Sequence, residues 1–335
     1  MNMTGKTMRA LQLMGLNELC EVELPVPIPA ADQVLIKTQA ATICTSDLHD
    51  LKSNPFGIVY PITMGHEGAG IVVQCGSAVD DFSPGDRVAS HPVIPCGNCA
   101  ECLRGFDHIC SNMGHLGIDK DGCFAEYYLQ RADRVRKLPS TLPFDRGALL
   151  EPVSVCLQAI SRAGEIKGKR VLVLGDGPFG NIISRLANRA GASHVIVIGK
   201  EPFRLSRIPD VEIAGNVADK SVDVAILAVS ANGALETCLN ALRPRGRLVV
   251  FSNIIEPVSL NLFTLHVSEL EIVGACNDEH KMDEAMECLA DPALAINEVI
   301  TQHIPFADWK QAFRLVAEHH DQAIKVALTF NQSNL

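Results

Sequence analysis

The chain has 335 residues, 47% of them hydrophobic and 20% charged, with 29 Lys and Arg against 39 Asp and Glu for a formal net charge of −10. The acidic balance has no basic block within it, which argues against a nucleic-acid partner, and no run of about 18 apolar residues is present to span a membrane. Residues 1–13 carry Lys6 and Arg9 and no long apolar stretch, so no secretory leader is read there. Twelve cysteines in a chain this long suit a reducing compartment, and the expected location is the cytoplasm.

Length suggests two domains, and the chain changes character near residue 150. Before it, short β-branched runs at 34–38, 70–74, 87–89 and 125–128 alternate with turns such as Ser83-Pro84-Gly85-Asp86, predicting an antiparallel, barrel-like domain. From about residue 165, near-continuous apolar strands are predicted at 170–174, 195–198, 222–229, 247–251 and 270–274. Predicted helices at 179–190 and 234–241 lie between them. That alternation means a parallel sheet covered on both faces. From about residue 292 a helix over 307–319 and an apolar stretch at 323–330 are expected to return to the first domain. The predicted organisation is 1–152, 153–290 and 291–335.

Four cysteines lie close together: Cys96, Cys99, Cys102 and Cys110, spaced C-x2-C-x2-C-x7-C. Four thiolates on a short loop suit a closed tetrahedral zinc site, with Gly97 and Gly105 easing the wrap. The first three spacings also suit an iron–sulfur cluster. The distant fourth cysteine, with no proline after it, favours structural zinc in a lobe over about 90–112.

Gly175-Asp176-Gly177-Pro178-Phe179-Gly180 is G-x-G-x-x-G between a predicted strand and a predicted helix, which is the context for dinucleotide binding. Where a strand-end acid would bind a ribose 2′-hydroxyl, the chain has Gly199, followed by Lys200, Glu201 and Arg204. A small residue followed by cations leans toward NADP, whereas Glu201 turned inward would do the acid's work for NAD, and a solvated charged face is the plainer reading of Lys200 and Arg204.

Three further segments carry metal-ligand types: Cys44-Thr45-Ser46-Asp47-Leu48-His49, Gly65-His66-Glu67-Gly68, and Glu151-Pro152. Cys44, His66 and either Glu67 or Glu151 form a mixed sulfur, nitrogen and oxygen set suited to a catalytic zinc with one open position.

With these segments in view, the chain resembles the zinc-dependent medium-chain dehydrogenase/reductase family over nearly its whole length. Cys44, the 65–70 segment, the cysteine lobe, Asp121-Gly122 before Phe124-Ala125-Glu126-Tyr127, and 175–180 carry the likeness. Glu151-Pro152 is similar to the sorbitol, polyol and threonine dehydrogenase branch. The resemblance implies a mostly-β GroES-like catalytic domain with a zinc lobe and an α/β Rossmann domain with a doubly wound parallel sheet. It implies two zinc ions per chain and hydride transfer between a secondary alcohol or polyol and NAD(P). A threonine or amino-alcohol dehydrogenase is the alternative, and a nucleotide-binding relative without enzymatic activity is a reading of another class.

By resemblance, Cys44 and His66 hold the catalytic zinc, with Glu67 and Glu151 as alternative carboxylates. Asp47 fixes the His66 tautomer, Ser46 contacts the substrate oxygen, and His49 ends a proton relay. A homodimer or homotetramer is expected. Leu51, Phe56, Leu116 and Phe263 are candidate pocket residues. Cys123 and Cys156 read as packing. The short 200–221 segment, with Pro209 in it, departs from the family pattern beside the adenosine pocket.

Overall fold

The computed structural model describes residues 5–319 and 321–330. Its front half is organised by one long strand, Gln33–Ile43, whose Val, Leu, Ile, Thr and Ala side chains are almost all buried. This strand pairs antiparallel with Glu67–Cys75, Tyr127–Arg131 and Lys325–Thr329. Arg87–Ser90, Val135–Lys137 and Ile300–Pro305 complete a seven-stranded sheet. Glu18–Pro25, Thr7–Gly15 and Ile62–Thr63 form a separate three-stranded sheet beside it.

The expected return of the chain end takes a definite form. Ile300–Pro305 and Lys325–Thr329 are parallel neighbours joined by the helix Trp309–Glu318, because parallel strands require a crossover. Val326 lies opposite Ile43, and Thr42 opposite Glu67, so the last strand runs beside the segments that carry Cys44 and His66.

In the back half, six parallel strands stand in the order Glu212–Ile213, His194–Ile198, Arg170–Leu174, Val222–Leu227, Leu242–Val250, Glu271–Gly274. In chain order this is 3-2-1-4-5-6, the doubly wound Rossmann arrangement. Both faces are buried. Val171, Val173, Val195 and Val197 pack with Ile182, Ile183 and Leu186 of Pro178–Arg189 and with the helix Leu150–Ala163, while Leu172, Leu174 and Ile196 pack with Cys238 and Ala241. Leu150–Ala163 is nearly all buried and runs through the expected division at 152/153.

The 200–221 segment is short, yet the edge strand survives. The helix there is only Pro202–Leu205; Ile208 is buried, and Asp210 turns the chain at φ 55° into Glu212–Ile213. Sequence patterning does not signal that two-residue strand or Leu150–Ala163. It also places the start of Tyr127–Arg131 two residues early; Ala125 makes an isolated bridge to Ala10 instead.

The halves are tied by polar contacts at residues 277–278, Asp278 buried and Asn277 half-buried. The Asp278 carboxylate meets His91 Nε2 at 2.9 Å and Arg134 Nη2 at 3.3 Å. Burial alone would push its carboxyl up; His91 and Arg134 draw it down to about 2. Asn277 Nδ2 donates to the His108 carbonyl of the cysteine lobe at 2.7 Å. Among the described residues no helix is long and apolar enough to cross a membrane.

Helix Pro178–Arg189 lies so close to the preceding turn that a Cβ at Gly180 would stand 2.0 Å from the Gly175 carbonyl oxygen. Gly180→Ala is therefore expected to cost about 1–3 kcal/mol of stability through overpacking against backbone, read by urea denaturation.

Candidate active site

Cys44 stands where the long strand ends and helix Thr45–Ser53 begins, as that helix's N-cap residue. Its backbone N–H donates to Asp47 Oδ2 at 2.8 Å. The other carboxylate oxygen, Asp47 Oδ1, faces His66 Nδ1 at 3.2 Å. One buried aspartate thus sets the thiol's backbone and the imidazole's tautomer together, leaving His66 Nε2 for the site. Ser46 Oγ lies 3.5 Å from that nitrogen. The ligand atoms of Cys44, His66 and Glu67 all lie within 4.8 Å of one another, and all three residues are buried.

The two candidate carboxylates differ. Glu67 is fully buried, with Oε1 2.6 Å from Lys325 Nζ and Oε2 accepting the Thr42 hydroxyl. Glu151 enters from the first turn of Leu150–Ala163, and its Oε2 has no hydrogen-bond partner. Burial, then the nearby Glu67 carboxylate, pushes the Glu151 carboxyl up to about 7. Burial disfavours charge on Lys325, but Glu67, Cys44 and Glu151 outweigh it and hold the ammonium above its ordinary range. Burial disfavours charge on His66 too, but Asp47 and Cys44 outweigh it and raise the imidazole above its ordinary range. A thiol, an imidazole and two carboxyls drawn together, with one carboxyl oxygen orphaned, fit a divalent cation with sulfur, nitrogen and oxygen ligands.

Lys325 and His115 lie at this site without any sequence signal. The His115 ring is 5.7 Å from that of His66, and burial drives its pKa down to about 3, so it stays neutral. Asp50 is buried on the same helix as Cys44's cap, and burial followed by the Asp47 charge raises its carboxyl to about 7. His49 is exposed on that helix, three residues beyond Ser46. Cys123, beside Gly68, fills space that a side chain there would need: a Cβ on Gly68 would come 2.7 Å from the Cys123 Cβ. Leu116 is buried and Leu51 half-buried, whereas Phe56 and Phe263 stand 52% and 72% exposed at the surface.

The second cluster has one ligand atom each from Cys96, Cys99, Cys102 and Cys110, again within 4.8 Å of one another. The Cys99 and Cys110 sulfurs are 3.7 Å apart, too far for a disulfide and equal to the edge of a tetrahedron whose centre lies about 2.3 Å from each sulfur. Sulfurs this close suit one ion rather than the several irons of a cluster. Backbone N–H groups of Cys96 and Asn112 point at Cys110 Sγ, and that of Cys102 at Cys99 Sγ. The Asn98 backbone N–H leads in drawing the Cys96 thiol down to about 6.

The glycine loop lies at the end of Arg170–Leu174, where strand order reverses and ligands of doubly wound sheets bind. Gly175 adopts φ 133° against the Ala228 carbonyl. Gly177 caps the helix with nothing within 4 Å of where a Cβ would be, leaving the helix start open to an anion. Pro178 follows in the first turn. Phe179 packs edge-on against Phe251, and its ring lies 5.8 Å from Lys325 Nζ. The dinucleotide loop and the candidate metal cluster therefore share a neighbour. At the end of the second strand, Gly199 abuts the Asp176 carboxylate, Lys200 is exposed, and Arg204 turns back to donate from Nε to the Ala323 carbonyl at 3.0 Å.

Residues 30–140 match the model of the alcohol dehydrogenase GroES-like domain, and 184–291 that of the zinc-binding dehydrogenase. The chain is 33% identical over 321 residues to the L-threonine 3-dehydrogenase of Pyrococcus furiosus, covering 89% of this chain and 91% of that one. The chain belongs to the zinc-dependent medium-chain dehydrogenase/reductase family. It is 29% identical over 347 residues to a sorbitol dehydrogenase of Bacillus subtilis, covering 98% of each. A solved structure described as a zinc-binding dehydrogenase of Sinorhizobium meliloti 1021, bound to NADP, superposes with a TM-score of 0.91 at 28% identity, covering 97% of this chain and 99% of that one. As in its family, this chain joins a GroES-like half to a Rossmann half.

Lys325→Met should cost about 3–5 kcal/mol in the metal-free dehydrogenase, because the Glu67 carboxylate would be left buried without its cation. The double variant with Glu67→Gln should recover much of that loss in urea denaturation. Cys99→Ser should lower both the melting temperature and the zinc content, with the lobe opening first under proteolysis.

Proposed function

We propose that this dehydrogenase oxidises a secondary alcohol of the polyol class, with Cys44, His66 and Glu67 holding a catalytic zinc and Glu151 as the exchangeable carboxylate. Cys96, Cys99, Cys102 and Cys110 hold a structural zinc, and the 175–180 loop carries NAD or NADP. The observation behind this reading is the buried thiol, imidazole and carboxylate cluster, whose neighbouring ammonium, Lys325, also abuts the glycine loop at Phe179. Likeness to a sorbitol dehydrogenase supports the polyol class.

When bound, zinc would supply Lewis acidity to an alcohol hydroxyl and the nicotinamide would accept hydride. The chain's own residues supply position and proton transfer. Asp47 holds His66 with Nε2 toward the cluster, and Ser46 Oγ is the hydroxyl placed beside that nitrogen to receive the substrate proton. His49, exposed three residues on, passes it to solvent. Phe179 and Phe251 are half-buried beside the loop and exclude water there. Gly177 and the N-terminus of its helix bind the pyrophosphate.

An NADP preference was the expectation from Gly199, Lys200 and Arg204. In the fold, Lys200 alone of the two cations is exposed, so the choice of nucleotide turns on what else stands at that strand end. None of the twelve cysteines is in a disulfide, and that many in a chain of this length support a reducing, cytoplasmic setting. A homo-oligomer is supported by exposed Ile255, Val258, Leu262, Phe263 and Val267, close in sequence to the edge strand Glu271–Gly274.

The test is metal analysis together with reduced-nicotinamide absorbance over a panel of polyols and L-threonine. Two zinc ions per chain and turnover with polyols are expected; turnover with threonine alone would select the amino-alcohol alternative, and zinc with no turnover would favour a nucleotide-binding protein. Cys44→Ser should lose one zinc and about a thousandfold in kcat, equivalent to about 4 kcal/mol, with the melting temperature nearly kept.

A further inference from the structure

The second strand of the parallel sheet, His194–Ile198, ends in Gly199, where dinucleotide sites commonly place the acid that accepts the ribose 2′-hydroxyl. The space is not vacant. The Asp176 side chain, from the glycine loop, reaches across the sheet end and fills it. A Cβ at Gly199 would stand 2.4 Å from Asp176 Oδ2 and 2.5 Å from its Cβ, so an acid at 199 and the present Asp176 exclude each other. The carboxylate is held in place: Oδ2 accepts the backbone N–H groups of Lys200, at 2.5 Å, and Glu201, at 2.8 Å. The side chain is only 12% exposed. Arg204 Nη1 lies 4.0 Å from Oδ1, beyond hydrogen-bond reach, and among the described residues no hydrogen bond goes to Oδ1.

We propose that Asp176 is the residue that selects the nucleotide, its Oδ1 accepting the adenosine ribose 2′-hydroxyl and its charge opposing a 2′-phosphate, so that the enzyme prefers NAD. The inference rests on the dinucleotide reading of the 175–180 loop. Three features make the carboxylate, rather than the neighbouring cations, the deciding group. The two strand-end N–H groups that could bind a phosphate already serve Asp176. Arg204 is committed to the Ala323 carbonyl and faces Asp176, so its charge is largely answered. Lys200 is exposed, and an exposed ammonium contributes little against a fixed, nearly buried carboxylate. Selection thus follows the usual chemistry from an unusual position, with the acid moved from the second strand to the first loop.

The test uses ADP-ribose and 2′-phospho-ADP-ribose, which carry no nicotinamide and report binding without turnover. Calorimetric titration of the zinc-loaded protein should show ADP-ribose bound at least about tenfold tighter, about 1.4 kcal/mol. Asp176→Asn should reduce the ratio to about threefold or less, by weakening ADP-ribose and strengthening its 2′-phosphate. Since that variant could disturb the loop, Asp176→Gly combined with Gly199→Asp moves the carboxylate to the strand end and should restore the preference. Equal or tighter binding of the 2′-phospho compound by the unaltered protein would overturn the role of Asp176 while leaving the dinucleotide site standing, as would an unchanged ratio in Asp176→Asn. Failure of both compounds to bind would overturn the dinucleotide reading itself, and this inference with it.

Discussion

The buried ion pair between Glu67 and Lys325 is the contact on which this molecule's arrangement turns. Both groups are almost wholly removed from water, Nζ and Oε1 are 2.6 Å apart, and the pair closes the sheet across 258 residues of chain. A buried pair of this kind contributes little net stability but is costly to break on one side, so it acts as a registration device. It requires the last strand, Lys325–Thr329, to run alongside Gln33–Ile43 with Val326 opposite Ile43. The same lysine limits how much negative charge the cavity can hold without further cation. With Cys44, His66 and Glu151 also present, sulfur, nitrogen and oxygen donors converge as a set suited to a metal ion.

Around this pair the two halves meet through few but specific contacts. Leu150–Ala163 brings Glu151 to the cluster with one end and packs on the parallel sheet with its body. Asp278 and Asn277, following the last parallel strand, grip His91, Arg134 and the His108 carbonyl of the cysteine lobe. Four sulfurs held round one ion would make that lobe a rigid anchor for the grip. Phe179 extends the dinucleotide loop toward Lys325. The candidate ligand cluster and the glycine loop are therefore linked through Lys325 and Phe179.

Much of this was legible in the chain because short-range chemistry writes itself into spacing. The cysteine lobe, the glycine loop between strand and helix, and Arg170–Leu174 and Ala234–Ala241, both at their observed bounds, follow from local requirements. Cys44 and His66 each read alone as core filler, and stand out only in combination with a carboxylate as a sulfur, nitrogen and oxygen ligand set. Lys325 was not legible. A lysine in an apolar stretch reads as the edge of a strand, and only the register that sets Val326 opposite Ile43 brings it to the buried Glu67 carboxylate. His115 was hidden for the same reason, since its neighbour His66 is far away in sequence. Phe263, a pocket candidate by composition, lies on the surface because its helix, Leu262–Val267, has no buried face.

The strand end at residue 199 shows the division most plainly. From the order of residues alone, Gly199 before Lys200 reads as room for a phosphate, since a missing side chain looks like space. Only the fold shows that Asp176, 23 positions earlier, occupies that space. The sequence by itself determined the fold class, the cysteine lobe and the glycine loop between strand and helix, because each depends on residues near one another in the chain or on a periodic pattern. Tertiary structure alone decided which carboxylate is tied to a lysine, which has a spare oxygen and which acid fills the strand end at Gly199. Those outcomes depend on distances of a few ångströms between residues that covalent order leaves far apart.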